Sequence, residues 1–155
     1  MSFRISGLDA ALFRHLYGLS DSELAARGVV RYVADNHPGY PDRVELRDVE
    51  PGESVLLVNY QHQPANSPYR SAHAIFVREG AQEAYDRVGE VPPCMRVRPL
   101  SLRAFDDKGM MLDADLVEGR GVEAMIERMF QDPKVAYIHA HNARRGCYAA
   151  RIDRA

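Results

Sequence analysis

The chain has 155 residues, 46% hydrophobic and 27% charged, which predicts one globular domain over residues 1–155. Its net charge of −2 favours neither nucleic acid nor an anionic membrane, so neither is expected as a partner. No apolar run reaches transmembrane length, the N-terminus lacks the apolar core of a signal peptide, and a cytoplasmic location with Cys94 and Cys147 as free thiols is expected.

Apolar periodicity and turn residues predict an α+β fold, taken here in chain order. A strand at 3–6 is followed by a helix at 8–17 and by a second helix to residue 27, which a capping-box spacing from Ser20 to Glu23 opens. Further strands are predicted at 29–34, 43–46, 54–62, 71–78, 95–105, 110–118, 134–141 and 146–153, and helices at 80–88 and 122–131. We expect a mostly antiparallel, curved sheet built of hairpins, with two or three helices packed on one face.

The strands at 54–62 and 71–78 form the first candidate site. Paired as a simple hairpin, they place His62 opposite His73 at its mouth, with Tyr69 and Arg70 in the adjoining loop. These four residues are candidate ligand-binding groups. The alternative is a polar loop over the edge of a sheet, because the sequence does not make the four side chains converge on one point.

The last strands, at 134–141 and 146–153, form the second candidate site. A five-residue loop between them would place His141 opposite Cys147 and Tyr137 opposite Arg151. This register collects small and apolar residues on one face and reactive residues on the other. The apolar face holds Ala136, Ile138, Ala140, Tyr148, Ala150 and Ile152, and the reactive face holds Tyr137, His139, His141, Cys147 and Arg151.

These residues suggest binding of a small anionic ligand, with catalysis left open. An imidazole beside a thiol can generate the thiolate nucleophile, which would make Cys147 a nucleophile or ligand contact and His141 or His139 its base. Arg144, Arg145 and Arg70 would hold the anion through their planar guanidinium groups. The catalytic version requires Cys147 to be partly exposed. No phosphate loop, dinucleotide fingerprint, nucleophile elbow or paired Cys-x-x-Cys motif is present, and no cofactor is assigned.

Three alternatives remain open. The polar face can simply contact solvent, with Cys147 as a small buried hydrophobe. The chain can be a non-enzymatic interaction or oligomerisation module, for example a homodimer. It can also be a metal-binding protein, if His62 or His73 supplies a third ligand beside His139 and His141. One His-x-His pattern is a weak signal, so no metal site is assigned from the sequence. The sequence does not tell whether the two hairpins meet, and their meeting would favour an enzyme.

Three segments of the chain read PGESVLLVNYQH, SPYRSAHAIFVREG and VAYIHAHNARRGCYAARIDR. Together they resemble the bacterial family called domain of unknown function 1203. The resemblance implies a small bacterial protein with no assigned activity, so it supplies no catalytic residues. Relatives often carry Cys after the Tyr-Pro of the early loop, where this chain has Asp42. The resemblance therefore does not imply a site with several cysteines here.

Overall fold

A computed structural model describes residues 2–155, which form two antiparallel sheets. The large sheet has six strands in the order β5-β1-β9-β8-β6-β7, and the small sheet has three in the order β2-β3-β4. In chain order the strands are β1 (Phe3–Ser6), β2 (Val30–Val33), β3 (Ser54–Gln63), β4 (Ser71–Arg78), β5 (Asp86–Val88), β6 (Pro99–Phe105), β7 (Met111–Glu118), β8 (Tyr137–Asn142) and β9 (Tyr148–Arg154). The helices are α1 (Asp21–Ala25), α2 (Pro93–Arg96) and α3 (Val122–Phe130).

The outer face of the large sheet carries the main core. Apolar side chains of α3 repeat at helical spacing, and the buried ones pack with the apolar residues of β8 and β9, as the sequence indicates. Helix α2 adds Cys94 and Met95 to the same core. The expected arrangement, an antiparallel sheet with two helices on one face, is therefore confirmed.

The small sheet packs against the other side of the large sheet. Leu56 pairs with Val77 and Val58 with Ile75, which confirms the apolar face expected for this hairpin. Tyr148 of β9 belongs to the same buried cluster, so the two sheets meet at the start of β9. Beyond Tyr60 a register shift interrupts the pairing of β3 with β4, and His73 pairs with Tyr60. The expectation that His62 and His73 face each other is therefore wrong.

Four local predictions differ from the structure. The helix expected at 8–17 consists of two 3₁₀ turns, Ala10–Leu12 and Arg14–Leu16. Ala10, Phe13 and Leu16 are buried while Leu12 is 48% exposed. Burial every third residue matches the three residues per turn of a 3₁₀ helix and not an α-helical stripe. The segment therefore follows the packing surface of the small sheet.

The strand expected at 95–105 begins at Pro99, because Pro93–Arg96 form α2, whose first turn tolerates a proline. The other two differences also concern strands. The helix expected at 80–88 is replaced by β5, which extends the large sheet by pairing with β1. The edge strand expected at 43–46 is a turn, because Leu46 has a left-handed backbone with φ of 53° that interrupts an extended chain. Within residues 2–155, no helix is long and apolar enough to cross a membrane.

Candidate functional site

The C-terminal hairpin is shifted by two residues from its predicted register. One residue comes from the turn, where the N–H of Asn142 donates to the carbonyl oxygen of Cys147 and leaves a loop of four residues, and the other comes from a bulge in β9. Ala140 pairs with Ala150, but His141 pairs with Tyr148, so Ala149 is an extra residue on β9. His141 therefore does not face Cys147, and His139, not Tyr137, pairs with Arg151. The apolar set of Ile138, Ala140, Ala150 and Ile152 is buried as predicted, whereas the bulge turns Tyr148 onto the histidine side.

The two histidine-bearing hairpins meet in space. His62, at the end of β3, reaches His139 and His141 of β8, and one nitrogen or more of each imidazole lies within 4.8 Å of the others. The ring centroids of His62 and His141 are 4.9 Å apart, and the rings stand nearly perpendicular. The His62 ring stacks on Tyr148 with centroids 5.4 Å apart. We call His62, His139 and His141 the histidine cluster.

The histidine cluster is buried and uncharged at neutral pH. His62, His139 and His141 are 8%, 3% and 1% exposed, respectively. Burial lowers the pKa of His62 to about 4 and the pKa values of His139 and His141 to about 3, because desolvation penalises the imidazolium form. Arg103 lowers all three pKa values further through repulsion of positive charge. The histidines of the reactive face are therefore buried against the small sheet, whereas Arg151 of the same face is exposed.

Hydrogen bonding within the cluster is incomplete. Nδ1 of His141 lies 2.9 Å from the carbonyl oxygen of Gly146, and since a carbonyl only accepts, Nδ1 carries the proton. The buried Nδ1 atoms of His62 and His139 have no hydrogen-bond partner among residues 2–155. Buried polar atoms are normally satisfied, so two such atoms side by side are unusual.

The remaining candidate residues of the two hairpins lie outside the histidine cluster. Tyr137 exchanges hydrogen bonds with the side chain of Gln63, and its ring lies 5.1 Å from that of His139. Tyr69 packs edge-on against Phe105 at the outer side of the same aromatic group. Arg70 donates to the backbone carbonyls of Pro64 and Ala65, so it holds its own loop. His73 remains outside the histidine cluster.

Cys147, Arg144 and Arg145 lie in a separate cleft of about 720 Å³. Its walls come from the loop before Asp42, from β2 and β4 of the small sheet, from the segment at 97–99 and from the turn between β8 and β9. Four arginines line it, and within residues 2–155 its lining contains no Asp or Glu. The arginines are Arg43, Arg98, Arg144 and Arg145. We call this the arginine cleft.

Arg43 and Cys147 form the floor of the arginine cleft. Arg43 is 2% exposed, and its guanidinium donates to Sγ of Cys147 at 3.1 Å, to the carbonyl oxygen of Tyr148 at 2.7 Å and to the carbonyl oxygen of Pro41. Asn142 also donates to Sγ, at 3.6 Å. The partners of the thiol are thus a guanidinium and an amide instead of the predicted imidazole. Desolvation lowers the pKa of Arg43, since no carboxylate among residues 2–155 forms an ion pair with it.

The four guanidinium groups of the cleft differ in how far their charge is neutralised. Arg98 forms two hydrogen bonds with the buried carboxylate of Asp48, at 2.5 and 2.9 Å. Arg144 and Arg145 are exposed, and within residues 2–155 neither side chain forms a hydrogen bond or ion pair. Positive charge is therefore concentrated at the floor and at the turn side of the cleft.

Aromatic rings also line the arginine cleft. The ring of Phe76 lies 6.1 Å from that of Tyr32 and 5.2 Å from that of Tyr40. Sequence reasoning missed these rings, as well as Arg43 and Arg98, because these residues come from four distant segments. The only local signal is the Pro-Gly-rich loop containing Tyr40, which is more often an ordinary turn.

The fold and the two sites define an α+β protein with an arginine-lined cleft beside a buried histidine cluster. Residues 39–154 match the family described as "Protein of unknown function (DUF1203)", and the chain belongs to this family, which confirms the resemblance. No curated protein and no solved structure matches the chain.

Proposed function

We propose that the protein binds a small anionic ligand in the arginine cleft. The observation that carries the proposal is the lining, which combines four arginines with no acidic residue within the described chain. The volume of about 720 Å³ suits a small organic molecule. Arg144 and Arg145 provide guanidinium forks without protein partners, and such groups recognise carboxylates and phosphates.

The ligand we propose also has an aromatic or other flat apolar part. Tyr32, Tyr40 and Phe76 supply rings to the lining of the cleft, where stacking and apolar contact favour such a group. Cys147 contacts the ligand at the floor. Its partners, Arg43 and Asn142, do not take up a proton from a thiol, so the proposal is binding and not catalysis.

Alkylation of Cys147 tests the proposal with two small probes that differ in charge. Iodoacetate carries a negative charge and iodoacetamide does not. We divide the rate constant for iodoacetate by that for iodoacetamide, and then divide this ratio by the ratio that free glutathione gives with the same two reagents. The resulting normalised ratio measures the attraction of anions into the cleft. We expect this normalised ratio to be about 10 or more at low ionic strength and to fall with added salt. Mass spectrometry separates Cys147, which lines the cleft and is 8% exposed, from Cys94, which lies outside it and is 5% exposed. Burial raises the pKa of the Cys94 thiol to about 12, so Cys94 should react slowly.

Charge-removal variants complete the test. The double variant Arg144→Ala/Arg145→Ala should bring the normalised ratio towards 1. The control is Arg120→Ala, an equally exposed arginine outside the cleft. Calorimetric titration with phenyl phosphate, and with benzyl alcohol as the neutral comparison, measures binding even where alkylation is slow. A ratio near 1 together with no binding of phenyl phosphate would refute the proposal.

A further inference from the structure

The histidine cluster is a second site, separate from the arginine cleft. His139 and His141 are two residues apart on β8, so both side chains project from the same face of the large sheet. His62 comes from the small sheet, where the irregular end of the β3–β4 pairing carries it towards β8. Three imidazoles thus converge from two sheets, although a hydrophobic interface would be filled more simply by apolar side chains.

The state of the three imidazoles suits metal coordination. A neutral imidazole has the free lone pair that a metal requires, and the three rings are buried together with one nitrogen of each within 4.8 Å of the others. Gly146 accepts a hydrogen bond from Nδ1 of His141, which leaves Nε2 unprotonated. A backbone carbonyl that fixes the tautomer in this way is the usual outer partner of a metal-bound histidine.

The buried, unpartnered nitrogens are an independent observation. Nδ1 of His62 and Nδ1 of His139 are shielded from solvent and have no hydrogen-bond partner among residues 2–155. A pure packing role for the cluster would leave both atoms without compensation. An ion bound directly by these nitrogens would compensate them and would explain why histidines occupy these positions.

We propose that His62, His139 and His141 bind one divalent transition-metal ion of the Zn²⁺ class. Imidazole nitrogen is a preferred ligand of Zn²⁺ and of its neighbours in the first transition row. At Zn–N distances of 2.0–2.1 Å, tetrahedral geometry places the nitrogens about 3.4 Å apart. Each pair already lies within 4.8 Å, so side-chain rotation has to close about 1.4 Å at most.

The proposed site has a vacant coordination position for a fourth ligand. Three protein ligands are typical of zinc sites that also hold water or another small ligand. The surrounding charge is positive, because Arg103 and Arg151 lie close enough to affect His139. This charge opposes a bare cation but favours an anionic fourth ligand such as hydroxide. His73 lies near the cluster without belonging to it, which makes it a matched control.

The test is a calorimetric titration of chelator-treated protein with Zn²⁺, followed by visible spectroscopy with Co²⁺. We expect one Zn²⁺ per chain and, with Co²⁺, the d–d absorption of a four- or five-coordinate nitrogen site. Mg²⁺ and Ca²⁺ prefer oxygen ligands and should not bind there. Because the Co²⁺ spectrum is recorded on the wild-type protein, it stays informative if a variant does not fold.

Variants assign the ligands. His62→Ala and His141→Ala should each weaken Zn²⁺ binding at least 100-fold, since even changes to outer partners weaken metal sites by about 10–100-fold. His73→Ala should change it less than threefold. The proposal is overturned if the wild-type protein shows no saturable one-to-one binding, if His73→Ala weakens binding as much as His141→Ala, or if Co²⁺ gives the spectrum of a hexaaqua ion. None of these results depends on the arginine cleft.

Discussion

Replacing Arg43 by methionine tests how the floor of the arginine cleft is stabilised. The guanidinium donates to the carbonyl oxygens of Tyr148 and Pro41 and to Sγ of Cys147, so it connects the loop before β3 to the start of β9. Methionine fills much of the same volume but donates no hydrogen bond. The variant Arg43→Met therefore leaves two buried carbonyls without this donor.

Two opposing effects decide the magnitude. Each buried carbonyl that loses its partner costs about 1–3 kcal/mol, which gives about 2–6 kcal/mol for the pair. Removing a buried charge that lacks a carboxylate partner recovers part of this cost, because replacing buried ionic groups with apolar ones often stabilises by about 1–4 kcal/mol. A side-chain substitution removes the guanidinium but leaves both backbone carbonyls buried, so the cost of the lost hydrogen bonds exceeds the gain from removing the charge. We expect a net decrease of about 2–4 kcal/mol in the free energy of unfolding.

Urea denaturation followed by circular dichroism measures this change. Arg120→Met is the control, since Arg120 is exposed, and we expect its effect to be within about 0.5 kcal/mol of zero. Arg43→Lys keeps the charge but can reach fewer acceptors, so its loss should lie between those of the other two variants. Wild-type or higher stability of Arg43→Met would show that the desolvation penalty outweighs the hydrogen bonds, and our account of this residue would be wrong.

Two further predictions concern residues that connect distant segments. Glu79 accepts hydrogen bonds from Arg31, and these hydrogen bonds hold the pKa of Glu79 at about 2. The contribution of the Glu79 carboxylate to stability is therefore present above pH 4.5 and is lost as the pH falls through 2. Glu79→Gln should lower the free energy of unfolding by about 1.5–3 kcal/mol at pH 7 and flatten its decline between pH 4.5 and 2; an unchanged pH slope would contradict this assignment. Gly119→Ala would drive a methyl carbon into the backbone carbonyl of Met95, so we expect a loss of more than about 3 kcal/mol in thermal or urea unfolding. Gly121→Ala has open space and should change stability by less than about 1 kcal/mol, and similar effects of the two alanines would disprove the steric argument.

Hydrophobic patterning predicted most of the fold. Strands whose two faces differ, such as β3 and β4, lie where the alternation places them, because one face must be buried. In segments with a weak hydrophobic pattern, the secondary structure depends on the elements that pack or pair with them. The residues at 80–88 carry too few apolar side chains to favour a helix strongly, and pairing of β5 with the free edge of β1 satisfies their backbone groups.

The sequence identified individual site residues better than it predicted which of them lie together in one site. His139, His141, Cys147, Arg144 and Arg145 were recognised from residue type and alternation. Their division into two sites follows from one extra residue in β9, and no local turn signal in the sequence identifies that bulge. A single cysteine–histidine site was a reasonable expectation only as long as the strand was assumed to be regular.

The bulge at Ala149 explains why Cys147 and Tyr148, which are adjacent in sequence, belong to different sites. If the pairing of Ala140 with Ala150 continued without a bulge, Cys147 would lie on the same face of the sheet as His139 and His141. With one residue inserted, Tyr148 stacks on His62 in the histidine cluster, while the preceding Cys147 contacts Arg43 in the arginine cleft. Arg43 also donates to the carbonyl oxygen of Tyr148, so a single guanidinium fixes the backbone that separates the two sites. A change in the position of Tyr148 within the histidine cluster would therefore move an acceptor of Arg43, and this is the shortest physical connection between the proposed metal site and the proposed anion site.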